Sequence, residues 1–422
     1  MVIRLFGVVF LAWVALRALF LYLAWQGDTS EFQREKVLRF FTETDIKRGK
    51  AYLREGFSGK VAKPFFQAVI LLLLVFAGLS PRLHNSIQSW FGNGFWLPSI
   101  VFLFAFFFIM QLASLPFDYY LGYFCEKKMG FSNMTQGEWV LRYLKSSLVS
   151  WTIQAVGIVL VLWVFRTFER CWVILIPLVT SLFGIAVTLL MPHVITPLFY
   201  KQKPIEEGLL KNRIMELAKK VEIPIEGIFE IDESRYSKHT NAYFTGLFSQ
   251  KRIVLYDTLI KNHTVDEALL IFAHEVGHWK HNHVFKGLIL GFLGTAAACF
   301  ILWFGFPFLL SEPSFRLKEL WNVSNVPFFS LISLMGFLFF SPVEAHISQY
   351  FERQADHTSL TLTGLGRSFV DAEIRLARDN HSDLLPHPWR VFWFFSHPPA
   401  IDRIEMGIKM DQTGIIQQEK PK

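Results

Sequence analysis

Apolar residues in this chain gather into long runs. A helix needs roughly 20 mostly apolar residues to cross about 30 Å of hydrocarbon. Seven segments read as spans: Val2–Trp25, Pro64–Leu79, Phe95–Leu115, Ser146–Phe165, Cys171–Leu190, Gly287–Leu310 and Val326–Pro342. The second and seventh have the shortest apolar cores. The first is too long, and too rich in Trp, for a cleaved signal peptide, and no small-residue cleavage site follows it.

The polar stretches test that reading. Counting Lys and Arg, segment 27–63 holds nine, 81–94 one, 116–145 four, 166–170 two, 200–283 twelve, the loop around Arg316 and Lys318 two, and 349–422 nine. High and low alternate at every crossing. Basic loops face the cytosol, so seven spans put the N-terminus outside or in the lumen and the C-terminus in the cytosol. Composition agrees: 52% of the 422 residues are hydrophobic and only 18% charged, which excludes a disordered chain or a coiled coil. The net charge of +7 therefore marks membrane topology, and no nucleic-acid partner is expected. Cys125, Cys171 and Cys299 form no CxxC pair and read as buried hydrophobes.

Two polar pieces, 200–283 and 349–422, are each too small for a generous core and are expected to pack as one cytosolic domain. The first opens with a helical pattern, Pro204–Val221. Strand-like runs follow at Gly227–Ile231, Asn241–Phe248 and Arg252–Tyr256, the last two forming a hairpin around Ser249-Gln250-Lys251. Thr264 with Glu267 is a capping box that starts the next helix. That helix carries His274-Glu275-Val276-Gly277-His278.

Histidines at i and i+4 share one helical face, so both imidazoles can reach one Zn²⁺ at about 2.0–2.1 Å. Glu275 lies beside the first of them, placed to act as general base on a water. A catalytic zinc needs a third protein ligand. His281 and His283 are read as lying at the helix end, against its dipole or solvent. The alternative is distant. In Phe351-Glu352-Arg353-Gln354-Ala355-Asp356, Glu352 and Asp356 again stand at i and i+4. Glu352 can complete a His₂Glu site, and Asp356 can accept the free N–H of a ligating imidazole. Taken alone, this segment reads more readily as a solvated charged face.

The set HEVGH (274–278), FERQAD (351–356), NAYFTGLF (241–248), RIVLYDTL (252–259) and SHPPAIDRI (396–404) resembles the integral-membrane zinc proteases of the type I CAAX prenyl protease kind, within peptidase family M48. Leu115-Pro116-Phe117 and Glu126–Phe131 fit the same family. The resemblance covers nearly the whole chain. It implies a mostly α multi-pass fold of seven transmembrane helices enclosing a chamber, capped by a cytosolic zincin-like α+β domain with a small sheet. It implies His274, His278 and Glu352 as ligands of one Zn²⁺ per chain, Glu275 as base and Asp356 behind the ligands. It also implies His397 and Arg403 as holders of the oxyanion and substrate. Asn241, Ala242 and Tyr243 would form an edge strand that pairs with extended substrate. Three positions depart from the family: Gln349 stands where Arg is common, and His357-Thr358 replace small apolar residues.

The implied organisation is a membrane region at 1–199 with five spans, a zinc protease domain at 200–283, two further spans at 284–348, and the rest of the protease domain with the third ligand at 349–422. The expected activity is removal of the C-terminal tripeptide from prenylated CAAX peptides, with the same chemistry on unlipidated or misfolded membrane proteins as the alternative. A transporter with a structural zinc fits less well. Such sites close with four protein ligands, no fourth is evident, and Glu275 would have no purpose. The expected partners are a peptide or prenylated protein substrate and the lipid bilayer. Glu419-Lys420-Pro421-Lys422 carries no clear dilysine-type signal, which favours a bacterial cytoplasmic membrane over the endoplasmic reticulum. Gln111, Gln154 and Thr188 interrupt the spans and are read as interhelical hydrogen bonds.

Overall fold

The computed structural model describes residues 2–27, 30–245 and 251–418. Seven helices in it are long and apolar enough to cross a membrane. The first five fall in α1 (Val2–Gln26), α2 (Glu43–Phe76), α4 (Trp96–Tyr119), α5 (Gln136–Thr167) and α6 (Trp172–Leu190). Between the second and third lies α3 (Leu79–Phe91), in a stretch read from sequence as a loop. It turns Ile87 inward and holds the last bundle loop through a 2.6 Å bond from Ser80 Oγ to the Ser324 carbonyl.

Several helices outrun their apolar segments. The sequence placed the start of the second span at Pro64, but α2 begins at Glu43, on a capping box between Thr42 and Asp45. Its first turns are polar, so they form helix outside the apolar zone. Pro64 is tolerated inside α2, as proline often is in spanning helices packed against neighbours. Trp13, Phe102, Leu331 and Leu338 are fully buried between the spans. Leu182, Phe300 and Phe340 lie on the outside, a pattern suited to lipid rather than water.

The spans line an open cavity of about 1290 Å³. Lys63, Gln67, Gln111, Ser114, Asp118 and Tyr143 line part of it, and Leu71, Phe107, Phe165 and Phe329 another part. Lys63 pairs with Asp118 at 2.5 Å, and Tyr143 donates to the same carboxylate at 2.8 Å. Of the three polar interruptions, Gln111 bonds across helices to Ser147. Gln154 instead donates to Ser150 of its own helix at 2.7 Å, and Thr188 to the Gly184 carbonyl at 2.8 Å. Both partners stand four residues back on the same helix, so these two side chains are satisfied without a neighbouring helix.

The extramembrane domain starts with β1 (Gln202–Pro204), α7 (Leu209–Lys220) and β2 (Ile225–Ile231). The helix expected from Pro204 begins only at Leu209, because β1 occupies the start of that segment and pairs antiparallel with β2. Then come β3 (Ala242–Thr245), β4 (Lys251–Tyr256) and α8 (Val265–Lys280). Sheet order is β1-β2-β4-β3, with β2 and β4 parallel and β3 and β4 antiparallel, so β3 is an edge strand. The expected hairpin exists; the turn expected at Ser249-Gln250, with Gly246-Leu247-Phe248, lies outside the described residues.

After α9 (His283–Leu310) comes α10 (Val326–Thr363). Here too the apolar segment ended early, at Pro342, while the helix runs on to the left-handed cap at Gly364, φ +66°. This one rod passes from the bundle into the extramembrane domain and presents Glu352 and Asp356 to α8. The chain closes with α11 (Gly366–Asp379), α12 (Pro388–Phe394) and α13 (Ala400–Gln418).

Candidate metal centre

The site forms where α8 crosses α10. Gly277, inside the HEVGH motif, makes the crossing possible. A Cβ there would meet Ala355 Cα at 2.7 Å and its carbonyl oxygen at 2.9 Å. Such contacts are too short for any larger residue, so glycine sets how closely the helices approach. Ser359 locks the crossing with a 2.8 Å bond to the Leu270 carbonyl. The start of α8 is fixed by the expected capping box: Thr264 N donates to Glu267 at 3.0 Å and Glu267 N to Thr264 Oγ1 at 3.3 Å.

Close approach places His274, His278 and Glu352 around one point, with ligand-type atoms all within 4.8 Å of one another. Nε2 of His274 and Nε2 of His278 face each other at 3.0 Å. Glu352 lies 3.1 Å from the first and 3.5 Å from the second. The opposite nitrogens are occupied. His274 Nδ1 sits 2.8 Å from Asp356 Oδ1, an acceptor, which assigns the proton to Nδ1. His278 Nδ1 sits 2.9 Å from Nδ1 of His283, whose own Nε2 lies 3.0 Å from Gln354 Oε1. That chain assigns Nδ1–H to His278 as well. Both Nε2 atoms then turn lone pairs toward Glu352. A tetrahedral ion with bonds of about 2.0–2.1 Å needs ligand atoms roughly 3.3 Å apart, so the donor set fits zinc.

The charge environment also suits a cation. Burial opposes a charge on His274, while Asp356 and Glu352 favour one there, and a metal ion at Nε2 would supply it in place of a proton. Burial, with the neighbouring His274, pushes His278 down to about 4. Glu275 projects beside this pair and lines a cleft of about 610 Å³.

Sequence reasoning placed His283 against the helix dipole or solvent. The structure buries it instead. It stacks on Phe351 with centroids 4.1 Å apart and backs His278 as described. The signal was present as a further histidine five residues past His278, but its use depends on Phe351 and Gln354 of a distant helix. His281 ends α8 and reaches Thr358 at 2.9 Å, so the polar residue at that unusual position has a partner.

His397 lies over the cleft, its side chain 58% exposed, with Nε2 3.3 Å from Glu352. Ser396 Oγ lies 2.8 Å from its other nitrogen. Arg403 also lines the cleft, but its guanidinium is engaged. Nε and Nη2 donate to Asp356 at 2.8 and 2.6 Å, and Nη1 lies 2.9 Å from Glu373. In this structure it braces the carboxylate behind His274. Glu373, missed from sequence, is raised by burial to about 7, with Arg403 working against that rise. Asn241 lines the cleft next to β3, and its Oδ1 accepts from Ala242 N at 2.8 Å; Ala242 and Tyr243 begin the edge strand.

A helical bundle with an inward cavity, joined to a domain whose HExxH helix faces a carboxylate from the last span, defines a multi-spanning membrane metalloprotease. Residues 204–407 match the family model described as peptidase family M48, and residues 30–201 match CAAX prenyl protease N-terminal, five membrane helices. CAAX prenyl protease 1 of Saccharomyces cerevisiae is 32% identical over 322 residues, covering 70% of this chain and 69% of that protein. The uncharacterized metalloprotease YhfN of Bacillus subtilis is 26% identical over 400 residues, covering 93% of each. The crystal structure of S. mikatae Ste24p superposes with a TM-score of 0.81 at 25% identity, covering 94% of this chain and 97% of that one. The chain belongs to the CAAX prenyl protease 1 family of M48 zinc metalloproteases.

Proposed function

We propose that this protein removes the C-terminal tripeptide of prenylated CAAX peptides, using one Zn²⁺ held by His274, His278 and Glu352. The observation that carries the metal chemistry is the convergence of two proton-free Nε2 atoms on Glu352, 3.0 Å from each other. When bound, zinc supplies a Lewis acid that polarises the scissile carbonyl and acidifies a water. Glu275 takes that water's proton and delivers it to the leaving amine. The free edge of β3 at Asn241, Ala242 and Tyr243 receives the substrate backbone as an added strand. His397, exposed over the cleft and 3.3 Å from Glu352, donates to charge developing on the carbonyl oxygen. Arg403 acts one step back. It fixes Asp356, which fixes the tautomer and aim of His274.

The sevenfold alternation of basic and non-basic loops supports a cytosolic protease domain and an outside or lumenal N-terminus. The test is a cleavage assay on one CAAX peptide in farnesylated and unmodified form, with E275Q as control. Preferential release of the tripeptide from the farnesylated form is expected. Equal cutting of both forms would reduce the activity to general membrane proteolysis.

A further inference from the structure

The cleft does not stop at the metal ligands. From Glu275 it extends past Asn241 and Thr240 to Asn380, Ser382, Asp383 and Arg390. At that end Arg390 pairs with the buried Asp383 and stacks on the Phe395 ring at 5.1 Å. Among the described residues Asp383 is its one ion-pair partner. A guanidinium carries five N–H groups in a planar fork, so one carboxylate leaves donors over. Lys50 lies within electrostatic reach of Asp383, and Lys60 of Arg390, with Glu126 facing Lys60.

The arrangement is built rather than incidental. Gln349, the residue that departs from the family pattern, donates to the carbonyls of Val391 and Phe395 at 3.1 and 2.9 Å and so pins the helix carrying Arg390. From the other side α2 presses in at Gly49, where a Cβ would meet the Ser382 carbonyl at 2.2 Å.

An antiparallel partner on the edge strand would set the direction. A peptide adding antiparallel to β3 runs opposite to the chain, so its C-terminal residues lie toward Thr240. Thr240 follows His239, whose Nδ1 lies 3.0 Å from Asn380, so this is the end of the cleft that holds Asp383 and Arg390. An extended peptide advances about 3.3 Å per residue, so three residues carry a free C terminus roughly 10 Å beyond the cut bond. We propose that Arg390, oriented by Asp383, receives the α-carboxylate of the substrate and thereby fixes the cut at a set distance from the chain end. This inference rests on the reading of the site as a tripeptide-releasing peptidase.

The test uses the full-length protein in detergent and one farnesylated CAAX peptide, ending either in a free acid or in a carboxamide. A charge-assisted hydrogen bond predicts a preference of about 10- to 100-fold in kcat/KM for the acid, carried mainly by KM. R390Q should bring the acid down to the rate of the amide, and R390K should keep part of the preference. Wild-type protein that cuts acid and amide equally overturns the proposal. So does an R390K that slows both peptides by the same factor, which also decides the case if R390Q fails to fold. If the wild type ignores both farnesylated peptides yet cuts unmodified ones, the prenyl reading fails. The acid and amide pair, repeated without the farnesyl group, then judges Arg390 separately.

Discussion

Around His274 two imidazoles turn proton-free nitrogens toward one carboxylate, whereas around His239 the same residue types close on themselves. His239 Nε2 lies 3.2 Å from Glu126 and its Nδ1 3.0 Å from Asn380 Oδ1. Tyr52 donates to the other Glu126 oxygen at 2.6 Å, and Phe131 stacks on the imidazole at 4.7 Å. Both nitrogens of His239 face acceptors, so no lone pair is left to offer. The difference teaches that histidine and carboxylate content does not make a metal site. What matters is which nitrogen the surrounding structure leaves unprotonated. At the first cluster Asp356 and His283 take the outward nitrogens and free the inward ones. At the second the histidine is a strut joining α2, the segment after α4, the approach to β3 and the turn after α11.

The largest effect that can break this contrast is metal removal. Chelation by phenanthroline should abolish cleavage, and added Zn²⁺ should restore it, while the His239 cluster is untouched. Proteolysis that survives complete chelation would discard the metal mechanism. Next comes E275Q, which keeps all three ligands and loses the base. General acid–base catalysis contributes about 10²–10⁴-fold, so kcat should fall by that order with zinc stoichiometry unchanged. Wild-type turnover in E275Q would remove Glu275 from its role.

D356N sharpens the contrast further, since Asp356 touches no ion directly. Its loss should weaken zinc affinity about 10–100-fold, read by metal competition with a chromophoric chelator. The asparagine keeps the volume against Arg403, and an unchanged affinity would show that His274 needs no outward partner.

How far the sequence carried this reading follows from the range of the interactions. The i, i+4 pair and the capping box are local, so His274, His278 and the helix bearing them were legible. The spans were legible because apolar length and loop charge are one-dimensional signals. Their ends were not, since α2 and α10 continue as polar helix past Pro64 and Pro342 on tertiary support. The pairing of Glu352 with α8 came from resemblance, because a solvated face explained that segment better. His283, Glu373 and the engagement of Arg403 were out of reach. Each depends on which residues a distant helix brings alongside, and no spacing rule reports that.

The smallest effect isolates the strut. The hydrogen bond to Glu126 comes first among the causes holding the His239 pKa above its ordinary value, and burial works against it. A proton held more tightly in the folded state stabilises that state fully below the unfolded value of about 6.5, and the benefit is lost as pH rises through the folded value. His239 is 38% exposed, so solvent screening limits the term to under about 1 kcal/mol. Wild-type protein should therefore lose slightly more thermal stability between pH 6 and pH 8 than H239Q does, with zinc content equal in both. If the two proteins lose stability in parallel across that range, His239 is not a charged strut. If H239Q instead loses zinc, the separation drawn between the two clusters fails.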